Sequence, residues 1–401
     1  DKQEVYNETL VKKSFRQLKA RNSFAIAKNR LYESILKSLD AFHSESSVDV
    51  QLRSQLHYTE ILFKKSLYDE CRKMLLKARK LATKYEKHTV IYDTYQWEKK
   101  LIEKDGYATT SEDEIRDLLE TELLTLDKLN NYSEFWNIKS RLFFMLNRYG
   151  KVRDVAELKN FKTIIDNVLL KSEDSALSYE SRYLYNHIFS AYYFGIGDYA
   201  SSYLHLKKHL ELMESNMEML KEEPNKYFAA LTNMIYICTQ IYNYKEIPKY
   251  LEKLNKIPEL LEKTTTDLDI KLFSSSKSAE ITLYIQSGQF KKALQLIPEI
   301  NEGLKKYEGK INKIREASLY FNIATVHFAM GNFNESLKYV NKLLNDNQLD
   351  TTQDTYALSR MLDLAIHLEI GNNDLIPYTL RSVQRYLTKR NRMYKFESVF
   401  L

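Results

Sequence analysis

Apolar residues recur at helical spacing through nearly the whole chain, and short polar or glycine-containing breaks interrupt them. The pattern is clearest from Ala317 to Leu344, which reads ASLYFNIATVHFAMGNFNESLKYVNKLL. From Tyr320 to Met330 the apolar positions are Tyr320, Ile323, Ala324, His327 with Phe328, and Met330, spaced as on one face of a helix. Gly331-Asn332 supplies the break, because both residue types reach left-handed backbone angles at low cost. Phe333, Leu337, Val340 and Leu344 then mark the inner stripe of a second helix. Ala324 and Ser336 are small where two helix backbones would have to approach closely. The segment predicts one antiparallel helix pair.

The same arrangement recurs. Val5-Tyr6, Leu10, Ser14 and Leu18 form one stripe, Arg21-Asn22-Ser23 interrupts, and Phe24, Ala27, Leu31, Ile35 and Leu39 form the next. After the polar connector Ser44–Ser47, helices are expected over 52–65 and 68–85, with the hinge at Ser66-Leu67-Tyr68 and Ala78 at a small position. A helix over 88–104 ends at Asp105-Gly106, and Ser111 with Glu114 has the capping-box form that starts another. That helix is expected to stop at Asn130-Asn131, and the following one, over 133–147, is closed by Arg148-Tyr149-Gly150. Beyond the polar run Lys171–Asp174, hinges fall at Gly195–Asp198, Asn243-Tyr244, Gly288, Gly331-Asn332 and Gly371–Asn373, with Pro298 expected to bend its helix. Breaks near 22, 67, 106, 149, 197, 243, 288, 331 and 371 recur roughly every 40–48 residues. No such unit buries its apolar face alone, so the units must stack.

Composition agrees with this picture. Nine Gly and five Pro in 401 residues are too few for the many turns of a β protein. Thirty Tyr suit a fold made largely of interfaces and grooves. Sixty basic and 54 acidic residues leave a net charge of +6, too well mixed to argue for nucleic acid. Cys71 and Cys238 lie far apart within helical pattern and read as two reduced, buried thiols. The uncharged run Tyr227–Tyr244 has the length of a membrane span, but its Thr, Asn and Gln residues would be costly in lipid, so it reads as a buried helix. The chain opens without a basic-then-apolar signal, and a cytoplasmic location is expected. Val399, Phe400 and Leu401 begin an apolar stripe, and the natural protein is expected to continue past it.

With Gly331, Phe333 and Ser336 near the family's Gly, Tyr and small positions, the Ala317–Leu344 pair resembles a tetratricopeptide repeat. The period is longer than that family's 34 residues, an excess that helices of about 18 residues would account for. The resemblance implies an all-α fold, a right-handed superhelical solenoid of about nine antiparallel helix pairs with a concave side. Residues 1–175 are expected to hold divergent helical repeats, 176–395 clearer ones continuing the same solenoid, and 396–401 the start of a further helix.

Candidate chemistry is sparse. His205 and His209, at i and i+4, share a helix face and could bind a metal, but no Glu lies between them and Lys207 and Lys208 would repel a cation. Tolerated interface histidines are the competing reading, and no metal is expected. His327 stands where the family has an aromatic, and His57, His187 and His367 fall within first helices. No nucleophile motif and no phosphate-cradling loop is present, so neither catalysis nor a cofactor is expected. Arg381, Arg385, Lys389 and Arg392, with Arg390, Lys395, Tyr386 and Tyr394 nearby, make a basic stripe that superficially resembles a nucleic-acid surface. A solvated face complementing a helix dipole is the simpler reading.

The resemblance also implies a binding groove, because the first helix of each pair in that family lines the concave surface. Counting back from each hinge gives Thr232, Asn233, Tyr236, Thr239 and Gln240, then Ser275, Ser278, Thr282 and Gln286, then Ser318, Asn322 and Thr325. Their amides and hydroxyls could bond an extended peptide backbone, with Tyr236, Phe321 and Phe328 offering apolar pockets. Solvation of an exposed face is the alternative. Lys and Arg are missing from these positions, so a ligand is expected to be held by amides and only weakly by charge. The last repeat instead places Leu358, Met361, Leu362 and Leu368 there. Two functions are carried forward: a non-enzymatic scaffold that binds a protein or peptide, and the sensory half of a larger transcriptional or signalling regulator.

Overall fold

The computed structural model describes residues 7–17, 24–43, 47–152, 155–261, 264–345 and 354–389. Among them the chain is helical throughout, with short connections and no strand. The stripe positions Val5, Tyr6 and Leu18, the break at 21–23, most of the 44–47 connector, Arg390, Arg392, Tyr394, Lys395 and the final Val399–Leu401 lie outside the described residues. Two compact units divide the chain, Asp1–Ser133 and Glu134–Leu401.

In the first unit α1 (Glu8–Gln17), α2 (Phe24–His43), α3 (Val48–Lys64), α4 (Tyr68–Lys84) and α5 (His88–Lys104) precede α6 (Glu112–Tyr149). Val48, Leu52, Ala82, Ile91, Tyr95, Ile102 and Leu118 make its core. Ser111 and Glu114 form the expected capping box, the Ser111 amide donating to Glu114 Oε2 at 2.8 Å and the Glu114 amide to Ser111 Oγ at 3.2 Å. These bonds hold the Glu114 carboxyl below its ordinary range.

One expectation fails here. The helix that starts at Ser111 does not stop at Asn130-Asn131 but runs on to Tyr149. Asparagine is only a weak helix breaker, and Asn131 is buried beside a stripe that continues through the buried Phe135, Ile138 and Leu142. Packing of that stripe outweighs the local preference. The turn between α4 and α5 falls at Glu86, in the gap left between the helices expected over 68–85 and 88–104, with a φ of +47° in the left-handed region.

The second unit continues through α7 (Val155–Ile165), α8 (Tyr179–Gly195), α9 (Tyr199–Glu214), α10 (Met217–Glu222), α11 (Pro224–Gln240) and α12 (Ile247–Asn255). It is completed by α13 (Thr266–Gln286), α14 (Phe290–Lys306), α15 (Lys313–Ala329), α16 (Phe333–Leu344), α17 (Asp354–Glu369) and α18 (Ile376–Lys389). Helix α14 runs unbroken through Pro298. The pairs α8–α9, α11–α12, α13–α14, α15–α16 and α17–α18 pack as hairpins, and first helices also meet the first helices of the next pair.

The hinges share one device. After Tyr242, Gly288, Gly331 and Gly371, all at positive φ, the next amide donates to a carbonyl five residues back, as Asn332 does to His327 at 2.8 Å and Gln289 to Tyr284 at 2.8 Å. This is the Schellman closure, which satisfies the last helical carbonyls and reverses the chain. A second device closes the hairpin itself. Ser336 Oγ donates to the Ala324 carbonyl at 2.7 Å, Ser202 Oγ to the Ser190 carbonyl at 2.8 Å, and Cys71 Sγ to the Thr59 carbonyl at 3.4 Å. All three links span 12 residues. A small residue is needed there because a short polar tip must reach the backbone of the facing helix.

Ala324 is fully buried at this contact. Replacing it with Leu is expected to cost about 1–3 kcal/mol by overpacking. Thermal unfolding is the measurement, and an unchanged midpoint would mean that the helices of this pair do not touch at Ala324.

Candidate functional site

The first helices of successive pairs stand side by side and their polar side chains pair at one-repeat separation. Asn322 Nδ2 donates to Thr282 Oγ1 at 3.1 Å, joining α15 to α13 across 40 positions. Arg315 does the same two turns away, donating from Nη1 to Ser275 Oγ at 2.7 Å and Ser274 Oγ at 3.3 Å. Its guanidinium also lies 5.7 Å from the Phe228 ring of α11. Lys271 Nζ reaches Asn225 Oδ1 at 3.3 Å. A polar face therefore runs over α11, α13 and α15.

The residues expected from the sequence divide by what their polar atoms already do. Thr232 and Thr325 donate their hydroxyls to their own helix, to Ala229 at 3.0 Å and Phe321 at 2.9 Å, so each keeps acceptor capacity only. Thr239 likewise donates to Tyr236 at 2.6 Å. Asn233, Gln240 and Ser278 have no hydrogen bond from their side chains among the described residues, and Asn233 is exposed. Asn322 keeps its carbonyl oxygen and one amide hydrogen. Tyr236 is 44% exposed.

Asn233 and Tyr236 also belong to a cavity of about 980 Å³ whose walls come from α6, α8, α9 and α11. Its α6 wall was not foreseen. Trp136, Lys139, Ser140, Phe143, Phe144 and Asn147 all line it, at the i, i+3, i+4, i+7, i+8, i+11 spacing of one helix face. That spacing was legible in the sequence, and the break near 149 made 133–147 a first helix, but the groove positions given from the hinges at 243, 288 and 331 do not reach it. The charges were missed for a related reason: Arg315 lies one turn before the counted positions, and Lys139 lies outside them.

Behind the cavity sits a polar core. His187 packs edge-on to Phe143 at 5.0 Å and lies 5.5 Å from His209, which is 4.3 Å from Tyr183. Burial, with a smaller push from the Lys139 and Lys226 charges, lowers His187 to about 4, and burial also lowers His209 well below its ordinary value. The Lys226 ammonium pairs with Glu180 at 2.9 Å and with Glu223 and lies over Tyr183 at 4.9 Å. These carboxylates outweigh the burial cost and raise its pKa. His205 turns elsewhere, stacking on Phe189 at 4.8 Å and Tyr193 at 5.5 Å. No cluster of three or more His, Cys, Asp or Glu among the described residues could hold a metal ion.

Other candidates are packed or solvated. His327 stacks on Tyr339 at 5.8 Å, as an aromatic would. Both cysteines are buried thiols, Cys238 pushed up to about 12 by burial. Tyr227, Phe228, Leu231 and Met234 are buried on one side of α11, which also presents Asn233 and Tyr236 to solvent, and no helix among the described residues is long and apolar enough to cross a membrane. Arg381 and Arg385 are exposed on α18. In the last pair Met361 is buried while Leu358 and Leu368 are 40% and 54% exposed.

Helix hairpins closed by a recurring cap, three of them stapled across the same 12-residue spacing, define an all-α, TPR-like helical-repeat fold. Among solved structures, the chain is similar to the nearly identical TPR-like repeats assigned to a kinesin light chain of Podosopora anserina, at 15% identity and a TM-score of 0.40, over 52% of this chain and 95% of that one. It is also similar to BtubC (BKLC) from P. vanneervenii, at 11% identity and a TM-score of 0.43, over 67% of this chain and 93% of that one. No protein-family model and no curated protein matches the chain.

Proposed function

We propose that the chain is a binding scaffold whose first-helix face over α11, α13 and α15 takes an extended peptide segment of a partner protein. The observation that carries this reading is the row of polar side chains set one repeat apart, paired with each other at Asn322–Thr282 and Arg315–Ser275 and only partly satisfied by those bonds. A row at constant spacing, with donors and acceptors left over, matches the repeating amides of an extended chain. Asn233, Gln240, Ser278 and the remaining valences of Asn322 supply the contacts, with Thr232, Thr282 and Thr325 as acceptors and Tyr236 as an apolar anchor.

Each hydrogen bond lost to a desolvated partner costs about 1–3 kcal/mol. The double change Asn233→Ala, Asn322→Ala is therefore expected to weaken binding at least tenfold, and the remaining affinity should change little with salt because the contacts are neutral. Affinity capture from cell extract, followed by titration of the recovered peptide against wild type and double variant, makes the measurement. Unchanged affinity in the double variant would overturn the reading.

A further inference from the structure

The cavity between α6, α8, α9 and α11 shares Asn233 and Tyr236 with the proposed peptide face and adds chemistry that this face does not use. Its volume of about 980 Å³ is that of a small-molecule site. Trp136, Phe143, Phe144, Phe194 and Tyr236 give it aromatic walls, and no Asp or Glu lines it. Lys139 is the charged residue among those that line it, and the Lys151 ammonium lies over its Phe194 and Tyr236 walls at 4.7 and 5.9 Å. Lys139 makes no ion pair among the described residues and its only ring contact is with Phe143, at 5.6 Å. Glu180, whose charge reaches Lys139, is paired with Lys226. The same cavity is lined by the neutral hydrogen-bonding groups of Ser140, Asn147 and Asn233.

From this arrangement we infer that the cavity binds a small organic monoanion, an apolar or aromatic body bearing one carboxylate or sulfonate that pairs with Lys139. Apolar walls desolvate the ligand's body, and a cation within them favours an anion over a neutral molecule of the same shape. Burial, helped by the neighbouring Lys226 charge, lowers the pKa of Lys139. An arriving anion would relieve that cost.

The test uses the full chain and the fluorescent monoanion 8-anilinonaphthalene-1-sulfonate, with neutral N-phenyl-1-naphthylamine as its uncharged match. The anion should bind with one-to-one stoichiometry and more tightly than the neutral probe. Lys139→Met should weaken the anion at least tenfold at low salt and leave the neutral probe unchanged, while Lys139→Arg should retain most of the affinity. 4-Phenylbutyrate should displace the anion and its amide should not. Equal binding of the two probes, or an anion affinity indifferent to Lys139→Met, would overturn the inference. So would displacement by peptides with a free C-terminal carboxylate but not by 4-phenylbutyrate. Asn322→Ala separates this site from the peptide face: it should weaken the peptide and leave the probe where it was.

Discussion

Acidification from pH 7 to pH 4 should cost the fold up to about 3 kcal/mol through His187 alone. In the unfolded chain this imidazole titrates near its ordinary value of 6.5, whereas in the fold it is held at about 4. Between those values the unfolded state binds the extra proton, so stability is fully present above the unfolded pKa and is lost as pH falls toward 4. The cause lies in its surroundings. Phe143 and Tyr183 cover the ring, Lys139 and Lys226 repel a positive charge, and His209 beside it is equally averse to protonation. Its Nδ1 is buried without a hydrogen-bond partner among the described residues. Carboxylates elsewhere also weaken the fold in acid, so the informative comparison is with His187→Phe, which keeps a planar ring and cannot take a proton. Chemical unfolding at pH 7, 5.5 and 4 should show the variant losing less stability than wild type, by up to about 3 kcal/mol at the lowest pH. Parallel pH profiles would mean that His187 is protonated without cost in the fold.

Gly303→Val should destabilise the protein by about 3 kcal/mol, the upper range of overpacking. Gly303 is buried in the interior of α14, where glycine costs about 1 kcal/mol against alanine and would ordinarily be replaced at a profit. Here a Cβ would stand 2.0 Å from Cε2 and 2.1 Å from Cζ of Phe273 on α13. That ring is held in turn by Tyr307, with centroids 5.5 Å apart, and cannot withdraw without disturbing α14's end. The pair is a ring-into-glycine notch that sets how closely the two helices approach. Combining Gly303→Val with Phe273→Ala should cost less than the two single changes added together, because the second vacates the volume the first requires. Additive free energies from denaturant unfolding would show that the ring and the notch are energetically independent.

The sequence made the repeat itself legible because its cause is local. The hinges at Gly197, Gly288, Gly331 and Gly371 sit at positive φ as expected, and the small residues at 324 and 336 meet at a hydrogen bond. What was not legible depends on contacts between distant residues. Asn130-Asn131 has the composition of a stop, yet α6 passes through it because Phe135, Ile138 and Leu142 extend the buried stripe. For the candidate site, counting positions placed Asn233, Tyr236, Thr282 and Asn322 on an accessible face. It did not place Lys139 or Arg315, whose roles come from what faces them: aromatic rings in one case and the hydroxyls of Ser274 and Ser275 in the other.

The hairpin staple has a use beyond cohesion. In the pair α3–α4 the donor at that place is a thiol, Cys71, and the chain's other thiol, Cys238, is buried in α11. Each compact unit thus carries one sulfhydryl that reagent reaches only when its helix moves away from its neighbours. Under conditions where closing outpaces alkylation, the labelling rate of each thiol divided by that of a free cysteine gives the opening equilibrium of its own region. The native chain therefore contains two chemical clocks, one per unit, that run without any engineered label.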